Sequence, residues 1–396
     1  MRNWDKKSLG EVCEIVNGST PLRTNKDFWE NGDYPWFTID DIRVQGRIIT
    51  DTKQKVTKAA LSKLRVLPID TVLLCCTASV GEYAITKIEL ATNQQFNGIV
   101  VKDRKKLDPE FLMHYCSTLK DKLLGLSGKT TIDFISISKL KHLEIPLPPL
   151  PEQQHIVSIL DEAFAAIAKA KVNAEQNLKN AKELFESYLQ GVFEKKGDSW
   201  EEKTIGEIGS PKMCKRIFKK ETTSDGDIPF YKIGTFGKEP DAFISKELYS
   251  EYREKYSFPD IGAVLISASG TIGRRVRYNG EPAYFQDSNI VWIDNDESQV
   301  LNDYLYEFYG ACNWGASKGA TISRLYNDNL KRIKISFPKS RAEQQSLVRK
   351  LDALRAKTQK LEAVYQKKMD DLEELKKSIL QKAFAGELKT ENNIAL

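Results

Sequence analysis

The chain is written twice. Trp4-Asp5-Lys6-Lys7-Ser8-Leu9-Gly10-Glu11-Val12 returns as Trp200-Glu201-Glu202-Lys203-Thr204-Ile205-Gly206-Glu207-Ile208. Pro151-Glu152-Gln153-Gln154 returns as Ala342-Glu343-Gln344-Gln345, and Leu160-Asp161 returns as Leu351-Asp352. The offset drifts only from 196 residues at the start to about 190 and then 191. So small a drift means two copies of one unit, differing by short loop insertions and deletions.

Each copy has two parts. The first, about 1–150 and 200–340, is mixed, with short buried-strand runs such as Thr71-Val72-Leu73-Leu74 and Gly262-Ala263-Val264-Leu265-Ile266 between Gly, Asn and Pro turns. The second, about 152–195 and 343–388, is nearly free of Gly and Pro and predicts one long helix. Pro146, Pro148, Pro149 and Pro151 block an earlier start to the first helix, and Pro338 does part of this in the second copy. The expected class is α+β: two similar mixed α/β domains, 1–150 and 197–340, separated by long antiparallel coiled-coil helices. These helices fall in 151–196 and in 341–396, the latter with a C-terminal tail.

The helical parts carry an apolar seam. In the first copy it runs Ile156, Leu160, Ala163, Ile167, Ala170, Ala174, Leu178, Ala181, Phe185, Tyr188, Val192. In the second it runs Leu347, Leu351, Leu354, Thr358, Leu361, Tyr365, Met369, Leu372, Lys376, Ile379, Ala383, with Leu375 a replacement for Lys376. Alternating steps of 3 and 4 are coiled-coil spacing, and both copies interrupt it at the same point. A 40-residue helix is about 60 Å long, too long for one small domain to cover. The two helices are therefore expected to pair antiparallel, with the domains at opposite ends of a rod and related by a pseudo-dyad.

Composition narrows the function. A charged fraction of 29% and 41% hydrophobic residues are those of a globular protein. With no long apolar run and no leader pattern, a cytoplasmic location is expected. Six cysteines (13, 75, 76, 116, 214, 312) show neither CxxC pairs nor zinc spacing, and predict buried reduced thiols. Basic and acidic residues nearly balance: 22 against 18 in residues 1–150, and 20 against 20 in residues 200–340. That excludes a polybasic sponge but leaves room for a basic groove on one face.

No catalytic constellation is found. Leu126-Ser127-Gly128-Lys129-Thr130 resembles the end of a phosphate loop, but its required first Gly falls on Leu123. There is no Asn-Pro-Pro-aromatic or Asp-Pro-Pro-aromatic segment for amine methylation. No metal site and no cofactor bound by this chain are expected.

Polar turns repeat instead. Ala78-Ser79-Val80-Gly81 aligns with Gly270-Thr271-Ile272-Gly273, preceded by Ser269 and followed by Arg274, Arg275 and Arg277. Small residues admit a phosphate close to backbone N–H groups, and arginines add charge. Gln94-Gln95-Phe96-Asn97 aligns with Gln286-Asp287-Ser288-Asn289, amides able to pair with adenine. Lys129 and Thr130 match Lys318 and Thr321 as phosphate or groove contacts. Trp36-Phe37-Thr38-Ile39-Asp40 matches Phe230-Tyr231-Lys232-Ile233-Gly234. There the aromatics are core, and Thr38, Asp40 and Lys232 face outward. The candidate DNA-binding set is therefore Thr38, Asp40, Ser79, Gly81, Gln95, Asn97, Lys129, Thr130, Lys232, Ser269, Gly270, Thr271, Gly273, Arg274, Arg275, Gln286, Asn289, Lys318 and Thr321.

Taken in order, these motifs resemble the specificity subunit of a type I restriction–modification system over nearly the whole length. Each half shows a Trp-to-Leu-Gly-Glu opening, a Gly-Ser-Thr-Pro segment (Gly18 to Pro21, shortened to Gly209-Ser210-Pro211), a Pro-aromatic strand, a Gly-turn, and a Glu-Gln-Gln helix start. The resemblance implies two target-recognition domains and two spacer helices acting as a ruler. It implies double-stranded DNA as ligand, with an asymmetric two-part target. It also implies two modification subunits that bind S-adenosylmethionine and methylate adenine at N6, and allows an ATP-driven restriction subunit. The helix flanks and the Glu-Gln-Gln starts become candidate docking surfaces for those subunits. The alternatives are a stand-alone sequence-specific nucleic-acid-binding scaffold or repressor, and an enzyme of unrecognised class.

Overall fold

The structure is a computed structural model that describes residues 4–126, 134–195, 197–312, 314, 324–325 and 327–388. It divides into two compact units: residues up to Ala174 together with those from Lys368 onward, and Glu175–Lys367.

The first unit is built on a five-stranded sheet in the order Cys13–Asn17, Phe96–Val101, Val72–Cys75, Tyr83–Thr86, Ile48–Ile49. Neighbours are antiparallel except the last pair. Val72-Leu73-Leu74-Cys75 is buried on both faces, as a central strand of continuous apolar residues must be. A three-stranded sheet orders Gln54–Val56, Tyr34–Phe37, Ala91–Thr92. The opening strand Lys6–Ser8 pairs antiparallel with Glu144–Pro146, the segment that leads into the first long helix.

The second unit repeats the plan. Its main sheet orders Ser210–Lys212, Ile290–Asp294, Val264–Ser267, Arg275–Arg277; its smaller sheet orders Phe243–Ile244, Ile228–Tyr231, Tyr284–Phe285. In both small sheets the central strand pairs antiparallel on one side and parallel on the other. Trp200–Thr204 pairs with Lys334–Pro338.

The long helices span Leu150–Glu194 and Arg341–Phe384. Pro151 sits in the first turn of the first, where its missing N–H leaves no bond unmade. Pro149 O accepts from the Glu152 and Gln153 N–H groups at 2.9 and 3.1 Å. Ser340 O does the same for Glu343 and Gln344 at 3.1 Å.

Within the first unit the helices run antiparallel: Lys171 Nζ meets Glu373 Oε1 at 2.6 Å, and the Lys376 ammonium lies 4.8 Å from the Phe164 ring. Leu380 and Ala383 join Ile156, Val157 and Leu160 in one apolar core with Leu9, Phe111 and Leu112. Within the second unit Arg355 lies over Phe185 at 4.8 Å, and Phe193 packs edge-on to Tyr304. Val348 is buried in the same core as Tyr304 and Phe337.

The seam holds with three corrections. Tyr188 is 43% exposed and Leu189 is buried in its place; after Ala181 the spacing is 4-4-4 through Phe185 and Leu189 to Phe193. Leu361 is exposed. Leu375 does not replace Lys376: Leu375 is 47% exposed, and the lysine keeps the seam by laying its ammonium on an aromatic face. Thr358 is buried at 2% and satisfies its hydroxyl on Arg355 O at 3.0 Å.

The repeated Gln of each helix start is a joint. Gln153, fully buried, accepts from Asp108 N at 2.9 Å and donates to Lys106 O and Pro148 O at 2.8 and 2.7 Å. Gln344, also fully buried, accepts from Leu301 N at 2.9 Å and donates to Gln299 O and Pro338 O at 2.8 Å. These residues are not docking surface, as the sequence suggested. A primary amide has two donors and an acceptor, and here all are spent on three backbone groups, two in one loop and one just ahead of the long helix. The six cysteines are free, with Cys312 partly exposed and the rest buried; burial pushes the Cys13, Cys76, Cys214 and Cys312 thiols up to about 12.

Candidate nucleic-acid interface

The turn that follows the central strand has the same backbone in both units. Ala78 and Gly81 lie at φ +64° and +87°; Gly270 and Gly273 lie at +64° and +83°. Glycine adopts these angles freely, while Ala78 holds one at a cost of about 1–2 kcal/mol. The missing first Gly of copy one therefore does not abolish the turn. Gly81 N–H donates to Cys75 O and Gly273 N–H to Ser267 O, each at 3.0 Å. Cys76 N–H donates to Gln95 O at 2.8 Å, and Ala268 N–H to Asn289 O at 2.7 Å. Ile135 N–H donates to Cys76 O at 2.9 Å, and Leu325 N–H to Ala268 O at 2.8 Å.

This platform carries different side chains in the two units. In the first, Ser79 and Asp40 are exposed and Gln95 is half-buried. Arg43, Ala78, Ser79, Glu82 and Lys120 line a cleft of about 400 Å³ beside the turn. In the second, Gly270 and Thr271 are exposed, and Ser269 Oγ donates to Asn289 Oδ1 at 2.7 Å. Gln286 Oε1 accepts from Ile233 N at 2.9 Å, and Lys232 Nζ pairs with Asp241 at 2.8 Å. Lys232, Asp241 and Gln286 line a cleft of about 490 Å³.

Several candidates have other employment. Thr38 is only 7% exposed and caps the helix Ile39–Gln45, its N–H donating to Asp41 Oδ2 at 2.7 Å. Asn97 is buried within the strand Phe96–Val101 at 3% exposure, where a base edge does not reach. Asp40 is exposed but pairs with Arg43 at 2.8 Å. Arg274 Nη1 donates to Phe236 O at 3.0 Å. Arg275 lies over Tyr306 at 4.6 Å and against Gly310; burial lowers its pKa, with Tyr306 and Glu307 opposing. Arg277 pairs with Asp303 at 2.9 Å. The strand Arg275–Arg277 thus fastens the sheet to the helix Asn302–Ala311, and Thr38, Asn97 and Arg275 leave the candidate set, while Arg274 spends one of its five donors and stays in it. Lys129, Thr130, Lys318 and Thr321 lie outside the described residues.

The hydrogen-bond pattern also shifts two alignments. Gln95, not Asn97, occupies the place of Asn289. Gly209 closes the short helix Ile205–Ile208 as Cys13 closes Leu9–Val12, so Gly209-Ser210-Pro211 is not the counterpart of Gly18 to Pro21. Sequence reasoning missed Arg43 and Lys120. The close fit of Gly81 against Lys120, whose Cα a Cβ at Gly81 would meet at 3.0 Å, is invisible in a string of residues. Among the described residues no three His, Cys, Asp or Glu side chains gather as a metal site, and no helix is long and apolar enough to cross a membrane.

Two like units of mixed fold, each presenting a variable turn on a shared platform, define a duplicated recognition protein. The type I restriction modification DNA specificity domain matches residues 1–178 and 197–369, and the chain belongs to that family. It is 48% identical over 256 residues to a Haemophilus influenzae chain provisionally named type I restriction enzyme specificity subunit S.HindORF215P, covering 64% of this chain and 66% of that one. It is 27% identical over 418 residues to the type I restriction enzyme MjaIX specificity subunit of Methanocaldococcus jannaschii, covering 98% and 94%. Among solved structures, the HsdS subunit from Thermoanaerobacter tengcongensis matches with TM-score 0.63 at 20% identity, covering 97% of both chains. A chain solved in work on assembly of the type I R-M system matches with TM-score 0.80 at 20% identity, covering 98% and 99%. The protein is thus a specificity subunit with DNA-recognition domains, a class that recognises rather than catalyses.

Proposed function

We propose that the two units, within 1–150 and 197–340, read different half-sites of one asymmetric, interrupted DNA target, and that the helices within 151–196 and 341–396 set the gap. The carrying observation is one backbone platform displayed twice with different side chains: Ser79, Gly81 and Gln95 in one unit, and Ser269, Gly270, Thr271, Gly273 and Asn289 in the other. Backbone amides and cations fix register on phosphates, while side chains read base edges. Arg43, which pairs with Asp40, and Lys120 line the cleft beside the first turn, and Lys232 and Gln286 line a separate cleft of the second unit. Lys129, Thr130, Lys318 and Thr321 remain in the proposal on sequence grounds alone.

The chain acts in the cytoplasm and binds no cofactor itself. It positions two adenine-N6 methyltransferase subunits, which hold S-adenosylmethionine; a restriction subunit, where one joins, uses ATP. The exposed helix flanks, including Val172, Leu184 and Val364, are the surfaces offered to those partners. Methylation-sensitive sequencing of DNA from cells carrying this chain and its methylating partner tests the reading. The expected motif has two unlike parts around an unread gap, with a methylated adenine in each part. An uninterrupted or palindromic motif contradicts it.

A further inference from the structure

We propose that Phe218 is a wedge that enters a base-pair step of the half-site held by the second unit, with Lys219 and Lys220 on the flanking phosphates. This rests on the DNA reading above and adds a residue and a mode of contact to it.

Lys215-Arg216-Ile217-Phe218-Lys219-Lys220 places four cations around two apolar side chains. Cys214 and Ile217, at 2% and 9% exposure, anchor the loop in the aromatic core with Phe230 and Tyr284. Beyond Ile217 the chain makes a tight turn. Phe218 N–H donates to Glu221 Oε2 at 2.7 Å, and Phe218 O accepts from Glu221 N–H at 2.9 Å. The ring, 55% exposed, thus sits at the tip of a hydrogen-bonded turn. Folding gains little from a large apolar group held in water, so the ring is free to bury itself against a partner.

The charges identify that partner. Arg216 is committed to Asp287 at 2.8 Å, and Lys215 lies over Tyr256 at 4.9 Å. Lys219 and Lys220 are exposed, and among the described residues neither is in an ion pair. An apolar tip beside unpaired cations matches a polyanion whose stacked interior can be opened, as DNA is by inserted apolar side chains. Lys219 also lines the cleft of Lys232 and Gln286, so the tip adjoins the proposed base-reading groups. The corresponding loop of the first unit also exposes an apolar side chain: Leu22, 196 residues earlier in the loop between its second strand and Tyr34–Phe37, is 66% exposed. Its neighbour Arg23, by contrast, is held by Gln54 and the Trp29 ring, which leaves that tip without a spare cation beside it.

The test uses the full chain with its methylating partner and an end-labelled duplex carrying the motif found by sequencing. Phe218→Ala is expected to weaken binding about tenfold and to lengthen the end-to-end distance toward straight DNA. Phe218→Trp is expected to preserve both. Lys219→Gln with Lys220→Gln is expected to reduce the slope of log K against log salt by about 2 and leave the end-to-end distance unchanged. Phe218→Ala binding within twofold of wild type, or a loss of affinity with no change in end-to-end distance, overturns the wedge. Failure of the wild-type complex to bind the duplex overturns the DNA reading itself.

Discussion

In the first unit the helix Pro109–Cys116 meets the first long helix through His114, whose Nε2 lies 2.9 Å from Asp161 Oδ1. In the second unit Glu307 holds the same place relative to the Gln344 joint and pairs with Arg355 of the second long helix. His114 is 3% exposed and Glu307 fully buried. Around His114, Phe164 packs edge-on at 5.7 Å and carries the Lys376 ammonium. Around Glu307, Arg277 approaches to 3.5 Å, while Arg355 also bonds Asp352 at 2.6 Å and covers Phe185. By repeat position Phe164 corresponds to Arg355, and Asp161 to Asp352. The Gln joints are identical because they bind backbone, which does not vary with sequence. The side-chain locks differ: His114 with Phe164 gives way to Glu307 with Arg355 while the aspartate stays, because a buried carboxylate needs a cation beside it that a histidine already paired with Asp161 does not.

The comparison can be broken at the joint first. Gln153→Leu and Gln344→Leu each leave one N–H and two carbonyls buried without partners. Each is expected to cost about 4 kcal/mol in chemical denaturation, and near-equal losses would show that the joints are equivalent. Arg355→Met is expected to cost about 3 kcal/mol by leaving Glu307 underpaired. Adding Glu307→Met should restore most of that; a double variant no better than the single would remove the lock from the account.

The pH response separates the units. Burial lowers the His114 pKa below its usual value of 6.5, with Asp161 opposing. An unfolded histidine therefore binds protons that the folded one refuses, and the contribution is present above pH 6.5 and lost as pH falls below it. Amide protection, corrected for the intrinsic exchange rate at each pH, should fall in Pro109–Cys116 on acidification through that range, and His114→Gln should remove the fall. The smallest effect lies at the turns. Ala78→Gly should stabilise by about 1 kcal/mol and Gly270→Ala destabilise by a similar amount, read from thermal unfolding.

Much of this plan was legible in the residues. The duplication and the two long helices follow from repeat spacing, and the alignment of Ala78-Ser79-Val80-Gly81 with Gly270-Thr271-Ile272-Gly273 marks the paired turns. The lysine at 376 was misjudged because seam periodicity counts apolar residues and does not see an ammonium lying on a ring. Repetition marks Gln153 and Gln344 but hides their burial, since polar residues at a helix start usually face water. Asn97 was misplaced because the loop before it differs in length between copies, and only the ladder hydrogen bonds fix the register. The arginines 275 and 277 read as a phosphate site in the sequence because Tyr306 and Glu307, which occupy them, are distant in the chain.

The central claim is that each unit reads its own half of the target. Exchanging residues 200–340 for those of a relative with a different target, followed by methylation-sensitive sequencing, tests it most directly. One half of the motif should change while the other half and the gap stay as they were. A change in both halves, or in neither, would contradict the account.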